Sequence, residues 1–514
     1  MATGAPARRS SAPVHRLPRP DASGGGVLLH AVRPRVDRGP ADGALFRSLS
    51  EPSASVTRWS RKTKKNIPDV EAQKVMPQST RARRILVPAL LAASLLAACS
   101  SSPAGTSSST GGASSTDDPN AALVVWTDST RQAGFEAYKK AHPDKKVTIV
   151  TYEPDSLLTK IQLFNRTGKG WPDVIFDPHP NDTAGLSSNL YKFAQPLDEL
   201  VPKNVQDGFG TANDTCKFNG KLYCLKNDLA QTVLWYNKPL MAKFGYKVPT
   251  TWGEYKDLGL KLAKEHPGYV VGAAGFNNVY ADLLWPSGCP ISDVKDDATV
   301  HIDVKDPKCT RVADLVDSLV SAGSLSRLGP FDADFVKLGK EQKILLMPGA
   351  SWYGDFLFKP ENSYATPKGV IAAAPYPKWD GEDKAWSGAY GGGVYLVSSH
   401  SANKAGAVDI AQWMATSNDF QKTAPTYPAY GPAATAWSQR LAADDFYAEN
   451  PFPALQQQAQ LISPSFKFTR YPFENVVDAT VAAKVRSGGK FADGLGDLQS
   501  QLTGLAQSTG YAVQ

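Results

Sequence analysis

From residue 121 onward, short apolar runs alternate with amphipathic segments, and this alternation restricts the possible folds more than any other feature. Residues 121–126, 146–152 and 173–176 read as strands. Residues 134–141 and 157–164 place apolar side chains at helical spacing between them. Strands that alternate with helices predict an α/β chain built on a parallel sheet. Ligands of such sheets sit beyond the carboxyl ends of the strands, which here are Trp126-Thr127-Asp128 and Asp177-Pro178-His179. Residues 232–236, 344–347, 370–374 and 391–397 read as later strands. Helices are expected after Thr251, where Thr supplies a cap, and over 312–320, 403–416 and most of 476–505.

The folded part does not begin at Met1. Arg81, Arg83 and Arg84 precede an apolar run over 85–98 that closes on Leu96-Ala97-Ala98-Cys99. A basic stretch, a short apolar core and small residues make a secretory signal, and the run is too short to span a bilayer, which takes about 20 residues. Its ending resembles the lipoprotein box, which implies lipidation of Cys99 and an exported protein anchored to the outer face of the cell membrane. Met76 opens a complete signal over 76–98, so residues 1–75, rich in Arg and Pro, read as a non-native or disordered leader. Residues 99–120 read as a flexible Ser/Thr/Gly tether.

Charge and cysteine content narrow the function. Residues 1–98 hold 17 of the 56 Lys and Arg but only 6 of the 49 Asp and Glu, leaving 39 against 43 in the 416 residues from Cys99 onward. The basic balance therefore belongs to the leader, and the remainder has no footprint for nucleic acid. The four later cysteines, Cys216, Cys224, Cys289 and Cys309, suggest two disulfides in an oxidising compartment. The local choices are 216–224 and 289–309, with a three-residue hairpin loop centred on Gly220 setting Cys216 opposite Cys224. A zinc site is the competing reading, though neither pair has CxxC spacing, and no metal or cofactor is expected.

The ordered segments together resemble the carbohydrate-type solute-binding proteins of ABC importers, the family that includes maltose-binding protein. The likeness covers nearly all of residues 121–510. It rests on Leu123-Val-Val-Trp126, Phe135-Glu-Ala-Tyr-Lys-Lys-Ala-His-Pro143, Gly170-Trp-Pro-Asp-Val-Ile-Phe-Asp177, Gly220-Lys-Leu-Tyr223 and Leu234-Trp-Tyr-Asn237. Pro249-Thr-Thr-Trp252, Met347-Pro-Gly-Ala-Ser-Trp352, Gly391-Gly-Gly393 and Lys404-Ala-Gly-Ala-Val-Asp-Ile-Ala-Gln-Trp413 continue it in the family's order. The chain departs from the pattern in its cysteines, its leader and Asp177-Pro178.

The resemblance implies a two-lobe periplasmic-binding-protein-like fold, each lobe a sheet flanked by helices, with the ligand cleft between them. The implied division is a first lobe over 121–228, a crossover over 229–236 and a second lobe over 237–371. A crossover and further first-lobe residues then fill 372–425, and 426–514 are mainly second-lobe helices. It also implies a monomeric, non-enzymatic protein that binds a sugar or oligosaccharide and delivers it to permease subunits. A secreted glycan hydrolase, or a surface lipoprotein that binds a protein partner, are the competing classes.

A sugar needs flat aromatic faces for its C–H surfaces and carboxylates or amides for its hydroxyls. The candidates are Trp126 and Asp128 at the first strand end, Asp177 and His179 at the third, and Asn227, Asp228 and Gln231 at the first crossing. Trp352 and Tyr353 match the family's second-lobe aromatic position. Trp386, Tyr390, Gly391, Tyr430 and Tyr471 complete the set. Trp126 has sheet packing as its alternative role, Asp128 capping of the next helix and Asp177-Pro178 a turn.

Overall fold

The structure is a computed structural model that describes residues 117–463 and 467–514. The leader, the signal, Cys99 and all but the end of the tether lie outside the described residues. The strands are β1 (Leu123–Thr127), β2 (Val147–Thr151), β3 (Val174–Asp177), β4 (Lys217–Phe218), β5 (Lys221–Leu222), β6 (Cys224–Lys226) and β7 (Thr232–Asn237). They continue with β8 (Asp293–Asp296), β9 (Thr299–His301), β10 (Leu346–Ala350), β11 (Ile371–Ala374), β12 (Val394–Val397) and β13 (Ala512–Val513).

The first lobe is a sheet ordered β2-β1-β3-β12-β6. Helices α1 (Gln132–Ala141) and α2 (Leu157–Thr167) link its parallel strands β1, β2 and β3. The expectation of a parallel sheet holds only for these three, because β12 runs antiparallel to both β3 and β6. The register gives the reason. Val394 opens β12 opposite Asp177, the last residue of β3, and opposite Lys226, the last of β6. One strand leaves this edge for the other lobe and another returns through it, so the two must run in opposite directions.

The second lobe is built on an antiparallel sheet, β10-β7-β11. The apolar run of β7 is buried on both faces, and its alternation divides two cores. Leu234 and Tyr236 face one, with Trp252, Val316 and Leu498. Val233 and Trp235 face the other, with Met347, Tyr353 and Trp437. Strand β10 extends through Pro348 and Gly349, which the sequence suggests should follow it. As an edge strand β10 tolerates a proline. Thr251 caps the helix Trp252–Glu265 as expected, its Oγ1 accepting the Glu254 N–H at 3.1 Å.

Among the described residues three connections join the lobes, and two lie away from their expected places. Strand β7 belongs wholly to the second sheet, so the first crossing is 227–231, ahead of 232–236. Ala372 pairs with Tyr236, which keeps 372–376 in the second lobe as well. The loop beyond stays there because Tyr376 packs edge-on to Trp252 at 5.3 Å and Trp379 lies 5.7 Å from it. The chain returns at 389–393, where Gly391 and Gly392 both take φ +84°, which accounts for the late start of β12.

Both local disulfides are formed, Cys216–Cys224 and Cys289–Cys309, with Cα separations of 5.2 and 4.7 Å. They consume the sulfurs that a zinc site would need. The hairpin inside the first differs from expectation. Its loop has two residues, Asn219 and Gly220, with φ of 50° and 72°, the geometry Asn-Gly favours in tight hairpins. Replacing Cys289 and Cys309 together by Ser should lower the unfolding free energy by about 2–4 kcal/mol. Urea denaturation checks this, and unchanged stability would count against a structural role for the bridge.

Candidate functional site

The first lobe offers a wall of acids at the end of its central strand. Every residue of β3 is buried, and Asp177 closes it fully buried. Asp177 Oδ1 accepts the His179 N–H at 2.9 Å, while Oδ2 is buried without a hydrogen-bond partner. The turn through Pro180 leads into helix α3 (Asp182–Leu186), with Asp182 at its start. Burial holds the Asp177 carboxyl well above the usual range and Asp182 adds to the effect, while the His179 N–H opposes it. Burial, then the charge of Asp155, pushes Asp182 up to about 7. The His179 ring is exposed, with Nδ1 at 3.8 Å from Asp155 Oδ1.

The second lobe faces this wall with aromatics and one more acid. Ala350, the last residue of β10, pairs with Thr232, the first residue of β7 after the crossing. Trp352 therefore lies where the sheet meets the junction. Its Nε1 donates to Tyr390 O at 2.8 Å, and its ring runs near parallel to Tyr390 (5.8 Å) and Phe331 (6.3 Å). Tyr390 OH donates to Asn277 Oδ1 at 2.8 Å, and Tyr280 meets the Tyr390 ring edge-on. At Gly391 a Cβ would stand 3.8 Å from Trp352 Nε1, so backbone and indole are adjacent. Glu474, half-buried on helix Phe473–Val477, is pushed up to about 8, by burial first and then by Asp182. Asp177 in turn feels Glu474. Acids from opposite lobes thus share one region with Trp352, Tyr390 and Gly391 at its side.

Other candidates serve different ends. Trp126 stacks on Tyr152 at 5.4 Å and meets Phe164 edge-on, so it packs the first lobe. Asp128 Oδ1 accepts the N–H groups of Thr130 and Arg131, closing the turn into α1. Asn227, Asp228 and Gln231 are buried struts of the crossing. Asn227 Nδ2 donates to Asp228 Oδ1, Asp228 lies 3.9 Å from the Arg131 guanidinium, and Gln231 Nε2 donates to Leu455 O. Tyr353 is fully buried in the second-lobe core, and Tyr471 is buried against Tyr511. Tyr430 packs on Phe209, and Trp386 lies half-buried under Lys384. A surface hollow of about 460 Å3 flanks helix Trp252–Glu265, lined by Tyr246, Pro249 and Leu258, and contains none of the candidates.

Four contributors carry no motif: Asp182, Glu474, Tyr280 and Asn181. Asn181 is buried and joins the lobes. Its Nδ2 donates to Tyr471 O at 2.9 Å and its Oδ1 accepts the Thr469 N–H at 2.7 Å. Their only sequence signal is proximity, since Asp182 lies five residues past Asp177 and Glu474 follows Phe473 in a late aromatic cluster.

Comparison with known proteins places this geometry among relatives. A family model described as bacterial extracellular solute-binding protein matches residues 125–418. The arabinooligosaccharide-binding protein of Bacillus subtilis is 26% identical over 278 residues, 51% of this chain and 61% of that protein. The galactooligosaccharide-binding protein of the same organism is 31% identical over 147 residues, 27% of this chain and 32% of that protein. The chain thus spans about three fifths and one third of these relatives. Among solved structures, the galacto-N-biose-/lacto-N-biose I-binding protein from Bifidobacterium longum, in complex with lacto-N-biose, superposes with a TM-score of 0.64 at 18% identity. That match covers 77% of this chain and all of that one. A cyclo/maltodextrin-binding protein complexed with maltotetraose gives 0.58 at 20% identity, over 76% of this chain and 98% of that one. The shared fold is the two-lobe solute-binding architecture.

The raised acids make stability depend on pH. Glu474 titrates near 4.5 when free and at about 8 in the folded protein. Between these values the native state holds a proton that the unfolded chain has released, so stability falls as pH rises through this window. The melting temperature should therefore drop between pH 5 and pH 8.5, and by less in Glu474→Gln. Parallel pH profiles for the two proteins would contradict the assignment.

Proposed function

Because this chain belongs to the family of bacterial extracellular solute-binding proteins, we propose that it captures an oligosaccharide between its lobes and presents it to an ABC importer. The observation that carries this reading is that acids of the two lobes lie within reach of one another's charge, Glu474 acting on Asp177 and on Tyr390 and Asp182 acting on Glu474, with Trp352 packed against Tyr390. Carboxyl groups exchange hydrogen bonds with sugar hydroxyls, and indole and phenol faces cover the C–H faces of the ring. Raised acids suit a neutral ligand, since a protonated carboxyl donates as well as accepts. The names of the Bacillus relatives favour arabino- and galacto-oligosaccharides as the first ligands to try.

Binding in the cleft favours the closed arrangement of the lobes, and a permease then distinguishes loaded from empty protein by that shape. The protein alters no covalent bond of its cargo. Export over the signal at 76–98 and a lipid on Cys99 would keep it at the outer face of the membrane, with residues 99–120 as the tether.

Isothermal titration with a panel of arabino- and galacto-oligosaccharides tests the reading. At least one should bind, and Trp352→Ala should weaken it by about 2–4 kcal/mol, the usual cost of truncating a central buried aromatic. Unchanged affinity in Trp352→Ala would remove that residue from the site.

A further inference from the structure

Asp177, His179 and Asp182 each bring one donor atom into a group whose members all lie within 4.8 Å of one another. Three donors bound to one ion at about 2.1 Å stand roughly 3.0–3.6 Å apart, the range from octahedral to trigonal angles. Closing the group therefore takes up to about 1 Å of movement per donor atom, and the exposed His179 ring has room to supply much of it.

A second observation lifts this above an ordinary acidic cluster. Asp177 is fully buried, and its Oδ2 has no hydrogen-bond partner. Without a cation, burial favours the protonated carboxyl, and a bound cation would take the place of that proton and supply the compensating charge. The side-chain charges acting on it come from Asp182, Glu474 and Asp128, all acidic. Asn181, between the cluster's members in sequence, is clamped by Thr469 and Tyr471, which fixes the backbone that presents Asp182. The geometry points to a divalent-cation site formed by Asp177, His179 and Asp182. Two carboxylates and an imidazole suit Mn²⁺ or Zn²⁺, whereas Ca²⁺ takes six to eight oxygen ligands. Three protein ligands leave open coordination positions for water. If the cleft holds a sugar, as proposed above, neighbouring hydroxyls of that sugar can take those positions.

The test needs no sugar, so its outcome is separate from that of the cleft reading. Purified protein is stripped with a chelator and titrated with MnCl₂ and with ZnCl₂ by calorimetry. At least one metal should bind with one equivalent and raise the melting temperature. Asp177→Asn and Asp182→Asn should each lower its affinity at least tenfold, and His179→Gln should weaken Zn²⁺ more than Mn²⁺. No saturable binding of either metal at millimolar concentration would overturn the proposal. So would equal affinity in wild type and all three folded variants. If metal binds and no oligosaccharide does, the cleft reading fails and the metal site stands.

Discussion

The two lobes depend on a narrow bundle of backbone hydrogen bonds where the connecting segments run side by side. The Asn227 N–H donates to Gly393 O at 2.8 Å, the Tyr390 N–H to Ala230 O at 3.0 Å and the Thr232 N–H to Gly388 O at 3.1 Å. The third connection joins through Leu229 N–H to Tyr427 O and Ala429 N–H to Asn227 O. Buried backbone groups must find partners, and here each segment satisfies its neighbour. Charged side chains reinforce the bundle. Lys226 Nζ donates to Gly392 O at 2.9 Å, and Arg131 Nη2 donates to Thr426 Oγ1 at 3.0 Å beside Asp228. Close packing explains Gly392, where a Cβ would meet Asp228 O at 2.9 Å.

This junction decides where everything else falls. Strands β3, β6 and β10 end beside it, and β7 and β12 start from it. Residues just past those ends are therefore delivered to the space between the lobes. Asp177 arrives from β3, Trp352 from beyond β10, and Tyr390 and Gly391 from the returning segment. Glu474 comes from a late helix, and Asn181 ties α3 to the chain just ahead of that helix. Acids gathered there are buried, and that burial is the first cause of the raised carboxyl groups.

The α/β class was legible because the early strands are short, apolar and separated by amphipathic helices. The cap at Thr251 and the two disulfides were legible because each depends on neighbours close in sequence. Direction and crossing points were not. The reversed β12 and the late return at 389–393 follow from contacts such as Tyr376 and Trp379 against Trp252, more than 120 residues away in the chain. The site shows the same limit. Trp126 and Trp352 look alike as tryptophans near strand ends, yet one lies within a strand on a packed face and the other beyond the strand at the junction. Asp128 directly follows β1 and Asp177 ends β3, but Asp128 spends its carboxylate on a turn while Asp177 keeps one oxygen unpartnered. Tyr353 differs from Trp352 by one position, which is enough to direct it into the core.

The central claim is that the ligand lies between the lobes, held from both sides. A crystal structure of the protein with a bound arabino- or galacto-oligosaccharide tests it most directly. The account predicts a sugar ring against Trp352 or Tyr390 with hydroxyls in contact with Asp177 or Asp182 and with Glu474. Sugar bound on one lobe alone, for instance in the hollow beside Tyr246 and Leu258, would contradict it.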